Sequence, residues 1–217
     1  MMKMGEFIDK IEKPSKDEVL YIQKQNSNLE SEFSELEDDI SPKLQKWGQQ
    51  IFGTPPDACN FWMGDARAIT STHKDHYENL YCVIRGYKTF TLCAPYSCMR
   101  IPHRSCKNFA HNRNEDGTWT LEPMEGETIW ASGSPLEWST VKSIKVIVKQ
   151  GDVLYLPSLW FHQVEQSHQC IAVNYWFDMR FDLKYCYFKM AESLNPSLRS
   201  LLKGYQAEEE EESSTHS

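Results

Sequence analysis

The 217 residues carry a formal net charge of −8, with 40% hydrophobic and 25% charged side chains. This is the balance of a chain that buries a core. It disfavours a nucleic-acid binder, which needs clustered Lys and Arg to neutralise phosphates. Seven cysteines are an odd number, and the opening MMKMGEFIDKIEK has no apolar stretch of signal-peptide length, so reduced thiols are expected. The longest apolar segment, 153–161, is interrupted by Pro157 and too short for a membrane span. The expectation is a soluble protein of the cytoplasm, with the nucleus also open.

Along the chain, Phe7, Ile8 and Ile11 at helical spacing predict a short helix over 5–12, closed by Pro14. A strand is expected over 19–25. Residues 29–51 read as a helix in two pieces, broken at Ser41-Pro42, where Ser caps and Pro opens the second piece.

From Ala58 the pattern changes to seven short runs rich in β-branched and aromatic residues: ACNFWMG, ENLYCVIRG, KTFTLC, IKVIV, DVLYLP, WFHQVEQ and CIAVNYWF. They predict a barrel or sandwich, with Arg85-Gly86-Tyr87 as a tight hairpin connection. The polar insertion 95–143 is too long for an idle connection and is expected to shape a substrate cleft. Helical spacing returns through Leu183, Tyr187, Met190 and Leu194. The divisions expected are therefore 1–57, a strand and helices packed on the barrel, 58–178, the β core with its insertion, 179–204, a helical segment, and 205–217, a disordered acidic tail.

His73 and Asp75 stand at i and i+2, which on an extended strand point to one side. His162, in a second strand, supplies a third donor. Two His and one carboxylate on one face of an octahedron leave positions open for a bidentate co-substrate and oxygen, the arrangement of non-haem Fe(II) oxygenases. A His-x-Asp pair alone is common at protein surfaces, so its company matters: Thr70, Asn79, Lys88, Asn174 and Trp176 all stand in β-rich segments. Cys98, His103, Cys106 and His111 lie in the insertion at a spacing that only faintly resembles a zinc site, because no Cys-x-x-Cys knuckle is present.

The segments TSTHKDHYENLY, RGYKTF, GDVLYLPSLWFHQV and CIAVNYWFD resemble the jumonji C family over most of the chain. Hydroxylases of that family carry a Thr three residues before the first His, an Asn four after the Asp and a Lys fifteen after that His. Here these positions hold Thr70, Asn79 and Lys88. An Asn some twelve residues beyond the second His, followed by an aromatic and Trp, is matched by Asn174, Tyr175 and Trp176.

The resemblance implies a mainly β fold with flanking helices, a double-stranded β-helix of the cupin-like jelly-roll type, here N-terminally shortened relative to the family. It implies Fe(II) held by His73, Asp75 and His162. It also implies 2-oxoglutarate and O2 as co-substrates, with Lys88, Thr70 and Tyr21 on the distal carboxylate and Asn79, Asn174 and Trp176 nearby. The activity implied is hydroxylation of a lysyl side chain, with GTP-binding proteins of the developmentally regulated type as substrate. Demethylation of methyl-lysine and endopeptidase action on methylated histone tails are alternatives. A binding module with an impaired centre is an alternative of another class. No nucleic-acid or membrane partner is expected, and a homodimer is compatible with this reading.

Overall fold

The computed structural model describes residues 2–203; the acidic tail read at 205–217 lies outside them. Two antiparallel sheets face one another. The first has five strands in the order β1 (Tyr21–Ile22), β2 (Ala58–Gly64), β11 (Cys170–Asp178), β4 (Tyr77–Arg85) and β9 (Val153–Leu156). The second runs β3 (Thr70–His73), β10 (Phe161–Gln166), β5 (Tyr87–Cys93) and β8 (Ser143–Lys149). This is the mainly β, cupin-like architecture expected, and all seven runs are strands within it.

Strands β2 and β11 are buried on both faces, which is why they read as almost unbroken apolar runs. Their outward residues, Cys59, Phe61, Val173, Tyr175 and Phe177, form one core with Phe7, Ile11 and Leu29 of the N-terminal helices. Those helices are α1 (Met4–Glu12), α2 (Asn28–Ser31) and α3 (Lys43–Phe52). Close approach of α3 to the sheet requires Gly48, where an added Cβ would fall 2.4 Å from the Phe177 ring. Residues Trp62, Tyr81, Val83 and Ala172 of the first sheet meet Phe90, Leu92, Val148 and Val164 of the second in the space between them.

Three sequence expectations need correction. Gly86 does turn the chain, with φ +77°, yet β4 and β5 lie in different sheets. The turn is thus a crossover and not a hairpin. The strand expected over 19–25 pairs only at Tyr21 and Ile22, since Asn26 and Ser27 take left-handed backbone and bend the chain into α2. The helical stretch 29–51 divides into α2, a 3-10 turn (Ser34–Asp39) and α3, and Pro42 stands at the cap of α3, one place before its first residue.

The insertion is largely regular. Strands β6 (His103–Arg113) and β7 (Trp119–Ala131) form a long two-stranded sheet. Helix α4 (Leu183–Ser193) is capped by the Asp182 carboxylate, which accepts from the Lys184 backbone N–H at 2.9 Å. No helix among the described residues is long and apolar enough to cross a membrane.

Candidate metal centre

His162 and His73 are direct partners across the β10–β3 ladder, so their side chains leave the sheet on the same face. Their ring centroids stand 4.2 Å apart. Asp75 lies just beyond the end of β3, and its backbone carbonyl accepts from the Leu159 N–H at 2.9 Å, which carries the strand pairing two residues further. Its carboxylate oxygens sit 3.8 Å from His73 Nε2 and 3.6 Å from His162 Nε2. One donor atom from each of the three residues falls within 4.8 Å of the others, and among the described residues no other group of this kind exists. Cys98, His103, Cys106 and His111 are therefore not assembled as a site; Cys98 is buried beneath α4, and His103 Nδ1 lies 2.8 Å from the Ile101 carbonyl.

Both histidines are oriented by the same device. His73 Nδ1 lies 2.8 Å from the Ser71 carbonyl and His162 Nδ1 3.0 Å from the Trp160 carbonyl. A proton on each Nδ1 donates to that carbonyl and leaves the Nε2 lone pair aimed at the centre, as a ligating imidazole requires. Burial, followed by the neighbouring His73, holds His162 well below the usual histidine range, which favours its neutral, ligating form.

The cavity below the triad is lined by alternate residues of facing strands: His162 and Val164 of β10, Phe90 of β5, Asn79 and Tyr81 of β4, Asn174 and Trp176 of β11, with Tyr21, Trp62 and Thr70. Asn174 is fully buried and central to it. Its carbonyl accepts from Trp62 Nε1 at 2.7 Å, and its amide donates to Asn79 Oδ1 at 3.0 Å. Trp176 stacks on Tyr77 at 5.0 Å, and its buried Nε1 has no hydrogen-bond partner among the described residues.

Lys88 lies behind the wall of this cavity and does not itself border it. It is 1% exposed, and its Nζ donates to Gln166 Oε1 at 2.9 Å and to the Tyr21 hydroxyl at 3.0 Å. The rings of Tyr21, Tyr81 and Trp62 surround it at 5.0, 5.5 and 6.0 Å. Burial pushes the ammonium down to about 8 and raises the Tyr21 phenol, which has the Thr70 hydroxyl beside it. A larger concavity of about 710 Å³ opens beside Lys145 and Ile147, but none of the three converging donors borders it.

One neighbour was not singled out from the sequence. Trp130, at the end of β7, stacks on His73 at 5.9 Å and 17°, and its Nε1 donates to Ser71 Oγ at 3.0 Å. The insertion thus brings a side chain onto a candidate ligand. The alternating ETIWA segment is its only local signal.

The donor set fits a divalent iron, since two imidazoles and a carboxylate suit it, and a buried ammonium held by neutral oxygens is a ready partner for an anion.

Comparison with known proteins agrees. The profile of the cupin-like domain family matches residues 1–183. The chain is 44% identical to the human bifunctional peptidase and (3S)-lysyl hydroxylase JMJD7, over 81% of this chain and 58% of that protein. It is 37% identical to the lysine-specific demethylase JMJ32 of Arabidopsis thaliana (89% of this chain, 63% of that one). With the JmjC domain-containing protein E of Dictyostelium discoideum it shares 35% identity (87% and 62%). The chain thus spans between 58% and 63% of the length of these relatives.

Proposed function

The chain belongs to the cupin-like family of JmjC-domain proteins, and from that premise we propose that it is an Fe(II)- and 2-oxoglutarate-dependent hydroxylase of a lysyl side chain in a protein. The observation that carries the co-substrate is Lys88: an ammonium buried among the Tyr21, Tyr81 and Trp62 rings that line the cavity, with no carboxylate partner among the described residues. From His162 to Gln166, the register partner of Lys88, is four residues of strand, about 13 Å.

When bound at the triad with 2-oxoglutarate and O2, Fe(II) supplies an oxidative decarboxylation that gives succinate and CO2 and delivers the second oxygen atom to a substrate C–H bond. The protein's own groups do the rest. His73, Asp75 and His162 hold three positions on one side and leave the other side for ligands. Lys88, with Tyr21 and Thr70, anchors the distal carboxylate through charge-assisted bonds. Asn174 fixes Asn79 and Trp62 in the cavity wall, while Trp176 offers a free N–H donor.

Lysine as the target follows the human relative, whose name includes (3S)-lysyl hydroxylase; a GTP-binding protein of the developmentally regulated type is the substrate we put forward. The Arabidopsis relative, named a lysine-specific demethylase, favours a second reading with the same oxidation directed at an N-methyl carbon. Mass spectrometry of lysyl and methyl-lysyl peptides after incubation with the chain, Fe(II) and 2-oxoglutarate separates them. A gain of one oxygen on lysine supports hydroxylation, and loss of methyl with release of formaldehyde supports demethylation. Neither product, from protein shown to bind metal, overturns both.

A further inference from the structure

Lys74 stands between the two candidate ligands of the HxD segment and points away from them. Its Nζ lies 2.8 Å from Glu192 Oε1 on α4, between the rings of Phe161 at 5.2 Å and Phe188 at 5.7 Å. Phe161 immediately precedes His162, and Phe188 and Glu192 belong to α4. A single ammonium therefore touches both ligand-bearing segments and the helix.

Glu192 is itself buried. Its second oxygen is held by Lys189 Nζ at 2.6 Å from the solvent side. The segment is tied further by backbone bonds, from Leu159 N–H to the Asp75 carbonyl and from Met179 N–H to the His76 carbonyl at 3.2 Å, and His73 by its Ser71 carbonyl contact and the Trp130 stack. Lys74, between His73 and Asp75 in sequence, adds to these ties a side-chain anchor to α4.

We propose that Glu192 is a positioning residue for the metal centre, acting from α4 through Lys74 on the orientation of His73 and Asp75. A buried pair of this kind is weak evidence for net stability, but an outer partner that orients a ligand typically changes metal affinity by about 10–100-fold when lost.

Cobalt(II) is the probe, because its visible absorption reports ligand geometry and its titration gives a dissociation constant, both independent of turnover. The inference rests on the triad binding a divalent metal; failure of the wild-type chain to bind Co(II) would sink that reading and this one with it. With binding established, folded Lys74→Met and Glu192→Gln are expected to bind Co(II) about tenfold more weakly, with a shifted absorption band. Lys74→Arg, which keeps the charge, should stay within about threefold of wild type by the same reasoning. Lys189→Met, which removes only the exposed partner, should leave the spectrum unchanged. Should Lys74→Met not fold, the isosteric Glu192→Gln carries the same expectation. Wild-type affinity and spectrum in a folded Lys74→Met or Glu192→Gln variant would overturn the proposal, as would equal losses in Lys74→Arg.

Discussion

Lys88 and Gln166 face one another across the β5–β10 ladder, and the lysine Nζ donates to the glutamine Oε1 at 2.9 Å. Gln166 in turn donates from Nε2 to the Asp65 carbonyl at 3.0 Å, which fixes its oxygen toward the ammonium. A neutral amide thus stands where a structural ion pair would place a carboxylate. Among the described residues no carboxylate neutralises this buried charge.

That charge has a pH signature. Burial lowers Lys88 from 10.5 to about 8, so between those values the unfolded chain holds a proton that the folded chain has released. Stability from this group rises with pH across that window. Below pH 8 the folded protein bears the full cost, about 3 kcal/mol. Urea unfolding of wild type and Lys88→Met without ligand should show the variant more stable at pH 7, with the gap closing toward pH 10.5. A gap that does not change with pH contradicts the assignment.

Asn174 is the polar keystone of the cavity wall. Asn174→Ala strands the Trp62 N–H and the Asn79 carbonyl in a buried site, at about 1–3 kcal/mol each. Chemical denaturation should show a loss of about 3 kcal/mol. A loss below about 1 kcal/mol would mean that the two groups find new partners.

Asp75 supports no core packing, so Asp75→Ala should fold like the wild type. Its metal affinity should fall by more than the roughly 10–100-fold that losing an outer partner costs. Circular dichroism and metal titration check the two halves separately. Wild-type metal affinity in this variant would remove Asp75 from the centre.

Trp130→Ala removes the stacking partner of His73 and the donor to Ser71. Co(II) affinity should drop about tenfold. Trp130→Phe, which keeps a ring but not the N–H, should fall between the two. Equal affinities for all three proteins would mean that the hairpin merely lies against the site.

The strands were legible because each run is rich in β-branched and aromatic residues, and His73 and Asp75 because their spacing is local. What was hidden depends on distant partners. The apolar series Leu183, Tyr187, Met190 and Leu194 correctly marks a helix, yet these side chains are 65%, 59%, 58% and 52% exposed while Phe188 and Glu192 are buried. The burial of Glu192 is made by Lys74 from the HxD segment, which no helical periodicity can show. The turn at Gly86 has the residues of a hairpin, but only the pairing of β5 with β10 and β8 tells that the chain changes sheet there. Trp130 reaches His73 only because β7 folds back along the barrel, so its role could not be read from the spacing of the insertion.

Titration of the Mn(II)-loaded chain with 2-oxoglutarate, followed calorimetrically in wild type and Lys88→Met, tests most directly whether this cavity is built for a dicarboxylate between a metal and a buried ammonium. Loss of one partner of a buried charge pair predicts binding weakened by about 2–5 kcal/mol in the variant, with Mn(II) affinity unchanged. Equal 2-oxoglutarate affinities in the two proteins, or no binding to the metal-loaded wild type, would contradict the account.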